Sequence, residues 1–413
     1  MMKKQQKEQS ADVVSQLKRV QIPAIIVGVL GLGVWALGAG SGTREQFFQT
    51  YLLAFLFWIA MPLGGLAILM LQYLTEGKWG FLIRRMLEAA AMTLPLMALL
   101  FIPIATMGML DLYPWADPSA VAHDTHLQFK YAYLNPGSFV FRAGFYFLIW
   151  LVWTFFLVKW GMDQDRSGKP ALTRRFRNLS GIGIVLYVIT MTFAAFDWGM
   201  SLEPLWFSAI YGVIFIIGQG LAMFAFVILM ARLLTDRKPF SDFASTKLYH
   251  DLGNLLFAFV ILWTYMSLSQ FLIIWSGNLP PETPWYIRRQ TSGWNEIAVV
   301  VLAFQFVLPF FLLLNRFVKQ KIQFLWRVAL LIFLMRFVDL FWIVMPAFDQ
   351  TVMDVHWTTY VAPIGIGGVW LFVFLEILKR RPILPLRDPV VPHPAAEGAA
   401  EGLQHMQEVP GHG

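Results

Sequence analysis

The chain has 413 residues, 58% of them hydrophobic, 16% aromatic and only 14% charged, with a formal net charge of +7. That balance is too apolar for an ordinary soluble domain, and the basic residues sit in short breaks between apolar stretches, so the composition indicates a helical membrane protein and argues against a nucleic-acid partner. The sequence has no cysteine, which excludes a disulfide, a thiolate-held iron–sulfur cluster and a CxxCH haem attachment within this chain; any such electron carrier must belong to a partner.

Residues 1–21 form a basic opening segment (Lys3, Lys4, Lys7, Lys18, Arg19), and the chain is then mostly apolar from Ile22 to Leu378. The first apolar stretch, Ile22–Gly40, is long for a cleavable signal-peptide core and reads as an uncleaved anchor. Further spans are expected at Phe47–Leu74, Met86–Leu110, Phe139–Trp160, Leu179–Ser201 and Phe207–Leu233. Four more follow at Asp251–Trp275, Glu296–Phe317, Phe324–Met345 and Thr358–Ile377. The expectation is an all-α polytopic membrane domain, 22–378, with ten transmembrane helices. Helices two to five and six to nine start on the same side and each make four passes, which predicts two four-helix bundles, in the manner of a parallel duplication, plus two peripheral helices. Residues 379–413, with Pro382, Pro385, Pro389, Pro392 and Pro394, read as an extended or disordered cytoplasmic tail.

Basic clusters alternate between the breaks. The N-terminus, Lys78/Arg84/Arg85, Lys159 to Arg177, Arg232 to Lys247, Arg316 to Arg327 and Lys379 to Arg387 all fall on one side, and the positive-inside rule then puts both termini in the cytoplasm. The opposite loops carry Asp111, Asp117, Asp124, Glu203, Glu282, Asp349 and Asp354 with many aromatics and prolines. Tyr113-Pro114-Trp115, Trp206 and the Pro280 to Tyr286 run read as interfacial belts or a docking surface, and the long 111–137 loop as a surface element that lies flat or meets a partner.

An ionisable side chain inside a spanning helix is costly unless it faces a partner or a wet cavity, so the few charges within the spans are the functional clues. In the fifth span Ser180, Gly183, Tyr187, Thr190, Ala194, Asp197 and Ser201 recur at three- and four-residue spacing on one face. Such a stripe either orders waters or supplies hydrogen bonds between packed helices. The seventh span places Asp251, Asn254, Tyr265 and Ser269 on one face, with Ala258 and Leu262 as an apolar gap between two half-channels. Glu88 opens the third span next to Arg84 and Arg85, and either pairs with them or heads a face with Pro95, Leu99 and Thr106. Arg336 and Asp339 lie one turn apart near the middle of the ninth span, as a structural bolt or a gate. These residues suggest a proton path loaded at Asp251, with Asp197, Tyr265 and Ser269 beyond the gap and Arg336 and Asp339 guarding it. Only His250 and His356 lie near spans, at opposite faces, so a haem held by paired histidines is not expected.

Four segments carry a family resemblance: Ile83 to Ala90 (IRRMLEAA), Phe196 to Pro204 (FDWGMSLEP), Ser269 to Pro280 (SQFLIIWSGNLP) and Met335 to Trp342 (MRFVDLFW). They closely resemble the F subunit of bacterial alternative complex III, a quinol:cytochrome c (or high-potential carrier) oxidoreductase, and the likeness extends over nearly the whole chain. The family belongs with the NrfD and polysulfide-reductase C type membrane subunits. The resemblance implies a non-redox, ten-helix subunit of the bacterial inner membrane beside a related, quinol-binding C subunit. It also implies a periplasmic iron–sulfur protein and multihaem and monohaem cytochromes as partners, with lipid around the helices. The F subunit is also named as a second quinone-binding subunit, but its usual proposed role is proton conduction, which by matching position falls to Glu88, Asp197, Asp251, Arg336 and Asp339. Where the family often has Gly after Leu74-Thr75, this chain has Glu76. Two other readings compete: a stand-alone proton-coupled transporter with a pocket at unwound helices, for which Pro62 to Gly65 and Pro95 are the pointers, and a purely structural membrane anchor.

Overall fold

A computed structural model describes residues 2–39, 42–167, 171–348 and 351–385. Asp349 and the tail beyond Pro385 lie outside the described residues. Among those described, every regular element is helical, and ten helices are long and apolar enough to cross a membrane. They are α1 (Asp12–Gly38), α2 (Arg44–Thr75), α3 (Gly80–Leu112), α4 (Pro136–Ser167) and α5 (Leu172–Leu202), followed by α6 (Tyr211–Leu234), α7 (Thr246–Gly277), α8 (Trp294–Leu314), α9 (Ile322–Ala347) and α10 (Thr358–Lys379). The expected ten-helix membrane protein is what the chain forms. Several helices run further than their apolar stretch, because polar ends can leave the hydrocarbon layer without breaking the backbone ladder; the first begins at Met2 rather than Ile22.

Local chemistry sets the ends. A capping box starts α2: the Thr43 hydroxyl accepts from Gln46 N (3.2 Å) and the Gln46 side chain accepts from Thr43 N (3.1 Å). The same helix stays regular through Pro62 to Gly65 and ends at Glu76, whose φ of 51° is the left-handed turn that glycine adopts at least cost. Ser245 caps α7, accepting from Leu248 N at 3.3 Å. In α8 a π turn, Leu302–Val307, precedes Pro309, which has no N–H to give its own turn of the ladder.

α2–α5 pack as one four-helix bundle and α6–α9 as another, joined where α2 meets α6 and α9 and where α5 meets α6. α2 and α6 are the most enclosed spans. α1 and α10 pair outside the bundles, as expected, but only α1 is peripheral: α10 lies against α2 and α3, and its Trp370 is buried, donating to Thr93 Oγ1 (2.8 Å). Lipid gives helices no hydrophobic reason to associate, so close backbone approach through small residues must hold this pair. Gly28 and Gly31 of α1 meet Gly365 and Gly368 of α10, and a Cβ on Gly28 would sit 2.8 Å from the Val369 nitrogen.

Helix alternation gathers the basic breaks at one end, the basic end, and the long connections at the other, the loop-rich end. There the expected belt or docking aromatics turn inward instead. Tyr113 and Trp115 are buried against Phe139, with the Tyr113 hydroxyl donating to Trp198 O (3.1 Å), and Trp206 stacks on buried Trp285 at 4.8 Å. The 111–137 connection folds into short helices, Pro118–His123 and Thr125–Lys130, that close this end of the first bundle.

Candidate functional site

Four buried polar groups stand out. At the loop-rich end of the first bundle, Asp197 is fully buried and accepts a bidentate pair from Arg142, Nη2 to Oδ1 at 2.8 Å and Nε to Oδ2 at 2.9 Å, plus the Tyr146 hydroxyl at 2.8 Å. Arg142 also donates to Tyr133 O (2.7 Å) and lies 3.8 Å from the Tyr133 ring centroid. At the basic end, Glu88 and Asp165 each take both Arg85 and Arg381: Arg85 Nη1 to Glu88 at 2.7 Å, Arg381 Nη1 to Glu88 at 2.6 Å, Arg381 Nη2 to Asp165 at 3.1 Å, and Arg85 to Asp165. This closed square of charges ties the residues after α10 to α3 and α4. Arg84, the other basic neighbour of Glu88 in sequence, lies over the Tyr73 ring at 5.1 Å.

Between the ends, the α5 stripe faces inward as its periodicity predicts: Ser180, Gly183, Tyr187, Thr190, Ala194, Asp197 and Ser201 all point into the first bundle or its seam with α6. Three of its four hydroxyls are hydrogen-bonded, and the buried Ser180 Oγ has no partner among the described residues. Tyr187 donates to Gln219 Oε1 of α6 (2.5 Å), Thr190 accepts from Trp150 Nε1 (2.9 Å), and Ser201 donates to Asp197 O (2.5 Å). The interhelical reading of the stripe therefore fits better than a file of waters.

The fourth group lies at the core of the second bundle. Arg336 and Asp339 form a buried ion pair one turn apart on α9. Gln305 joins them from the π turn of α8, which swings this amide into the bundle; with the amide turned so that its oxygen faces the two donors, it accepts from Arg336 Nη1 and Trp263 Nε1, both at 3.2 Å, and donates to Met335 O at 3.0 Å. Gly218 of α6 faces the guanidinium, where a side chain would collide with it. Behind the pair a void of about 20 Å³ reaches Gln219, and the Arg336 Nε beside it has no acceptor among the described residues. That space admits one water. In front of the pair, a cavity of about 490 Å³ opens between α7, α8 and α9, lined by Trp263, Gln270, Tyr286, Arg289, Asp339 and Trp342 among mostly apolar side chains. Its loop-rich rim is held by Arg289, which donates to Glu203 Oε1 (3.1 Å), Ile343 O (2.7 Å) and Trp285 O (2.9 Å), and whose pKa burial pushes down to about 10. Burial likewise pushes the Tyr286 hydroxyl up to about 12, so both keep their usual protonation at neutral pH.

No protein-family model and no curated protein matches this chain.

The seventh span is turned the other way from the expectation. The face carrying Asn254, Ala258, Leu262 and Tyr265 is turned out of the molecule, with Tyr265 62% exposed, so the gap between two half-channels does not lie inside the bundle. Asp251 and Ser269 are half-buried at its edges. The buried face is Leu256, Val260, Trp263 and Gln270. Both faces are apolar enough that periodicity alone could not choose between them. The structure also brings in residues that sequence reasoning passed over: Arg142, Arg381, Gln219, Gln270, Gln305 and the Arg289–Glu203 pair. Arg142, Gln219 and Gln305 carried a signal, being polar side chains within otherwise apolar spans.

Proposed function

We propose that the chain is a membrane subunit, with no redox centre of its own, of a respiratory quinol:cytochrome c (or high-potential carrier) oxidoreductase, and that it conducts protons for that complex. In this reading it sits in the bacterial inner membrane with both termini cytoplasmic, beside a quinol-binding C subunit, an iron–sulfur subunit and multihaem and monohaem cytochromes. The four segments that resemble alternative complex III F subunits support the family assignment, and they contain Glu88, Asp197, Arg336 and Asp339.

The observation that carries the proton role is the cavity that ends on Asp339. A carboxylate in a closed core has no source of protons, whereas this one lines a space that rises towards the loop-rich end. Arg336 pairs with the carboxylate, yet it has a second acceptor in Gln305, so it can release Asp339 to a proton without being left bare. On the far side, the small void links Arg336 to Gln219 and so to Tyr187 of the first bundle. Asp251 is the half-buried carboxylate nearest the basic end of α7, about 18 Å along the helix from Trp263 at 1.5 Å per residue.

The cavity also suits a quinone. Its volume lies in the range of small-molecule sites, Tyr286 and Gln270 can donate to a carbonyl oxygen, and Asp339 can accept from a hydroxyl. A bound quinone would supply or take protons together with electrons exchanged with partner subunits. The stand-alone transporter loses its first pointer, because α2 remains helical through Pro62 to Gly65.

The test is the complex reconstituted in vesicles, with protons released per electron measured for Asp251→Asn and Tyr187→Phe. Both changes keep size, and Tyr187→Phe removes only the bond to Gln219. Conduction predicts a lower proton ratio in at least one variant with quinol-to-cytochrome electron transfer intact. Wild-type ratios in both, or no pumping in any sample, would leave the structural anchor as the better reading.

A further inference from the structure

A second recess, separate from the Asp339 cavity, lies at the loop-rich end of the first bundle. It is a groove of about 360 Å³ formed by the 129–134 segment, the last turns of α5 and the 204–207 connection. Its walls are Phe129, Tyr133, Phe193, Phe196, Met200 and Phe207, and its single cation is Lys130. The groove is open along the outer face of α5, where Phe193 is 42% exposed, and Phe129 at its mouth is 88% exposed. Phe193 to Met200 occupy the final turns of a spanning helix, and the exposed Tyr133 flanks them at the level where aromatic side chains meet headgroups.

The charge at the mouth is uncompensated. Lys130 Nζ donates to Pro204 O at 2.6 Å, and among the described residues it has no carboxylate within ion-pair distance. The two acids closest in sequence to the groove lining are already committed: Asp197 to Arg142, and Glu203 to Arg288 and Arg289. Partial burial lowers the Lys130 pKa, a cost that a neighbouring anion would offset.

We propose that this groove is a binding site for a phospholipid of the surrounding bilayer, with an acyl chain against Phe193, Phe196 and Met200 and a net-negative headgroup at Lys130. A long apolar trough open to the hydrocarbon and headed by one unpaired cation at the interface matches an anionic lipid on both counts. A polypeptide would satisfy the apolar walls but would need its own acidic residue at Lys130. The site is independent of the quinol reading.

The full chain, purified in mild detergent and exchanged into mixed phosphatidylglycerol and phosphatidylcholine, is analysed by native mass spectrometry for retained lipid. Wild type should keep one phosphatidylglycerol more than Lys130→Gln, with occupancy falling about fivefold in the variant, the effect of one interfacial lysine. Lys130→Arg should retain it, and Ala132→Trp, which fills the groove, should lose both lipid classes there. The proposal is overturned if Lys130→Gln and wild type carry the same phosphatidylglycerol, if phosphatidylcholine is retained equally well, or if Ala132→Trp displaces no lipid.

Discussion

Replacing Asp339 by Asn probes the buried centre of the second bundle. The side chain keeps its size but loses its charge, and Arg336 is left in a site where Gly218 offers no polar side chain and Nε already lacks an acceptor among the described residues. Breaking a buried ion pair by removing one partner costs about 3–5 kcal/mol. Gln305 still accepts from Arg336 Nη1 at 3.2 Å, so the guanidinium keeps one side-chain partner. That acceptor is present before the change as well, so it limits the loss rather than cancelling it, and the expected cost is about 3 kcal/mol. Against a total stability of about 5–15 kcal/mol this is a large fraction. The double variant Arg336→Met/Asp339→Leu removes both charges at similar volume and should recover most of the loss, giving a coupling of about 2–3 kcal/mol between the positions. Unfolding of wild type, Arg336→Met, Asp339→Leu and the double variant in detergent supplies the cycle, with Asp339→Asn measured beside it. An Asp339→Asn cost below about 0.5 kcal/mol, or single losses that simply add, would refute the account of this pair.

Glu76→Gly should stabilise the chain by up to about 1 kcal/mol in thermal unfolding, because φ is 51° there and the ion pair with Arg177 that the change removes is long, at 3.6 Å, and exposed. Gly28→Leu should cost about 1–3 kcal/mol or more and loosen α1 from α10, seen as weaker cross-linking between cysteines placed on the two helices, since the added carbon meets α10 backbone at 2.8 Å. Single cysteines at Ser167 and Asp354, both exposed and at opposite ends of the helices, should be labelled by an impermeant reagent from opposite sides of the membrane; labelling from one side would break the ten-span topology.

The ten helices were legible because each is an apolar run of bilayer length bounded by charge, proline or glycine, and the α5 stripe was legible because small and hydroxyl residues recur at helical spacing. The Arg336–Asp339 pair could be read from a three-residue spacing on one helix. What sequence could not supply is orientation where both faces are apolar, which is why Tyr265 of α7 points outward, and partners distant along the chain. Arg381 reaches Glu88 across 293 positions and Arg142 reaches Asp197 across 55, and neither pairing leaves a local pattern. The loop aromatics misled for a related reason: Tyr113 and Trp115 have the composition of an interfacial belt, but a connection long enough to fold back carries them into the bundle.

We propose that this chain is a redox-silent membrane subunit of a quinol-oxidising complex. An affinity tag on the chain, with purification from its native membrane and a spectrum of the product, tests it most directly. The expected product carries co-purifying c-type cytochromes and an iron–sulfur subunit with quinol-dependent reduction of cytochrome c, and the chain expressed alone shows no Soret absorbance. A chain that purifies without redox partners, or that carries stoichiometric haem by itself, would contradict it.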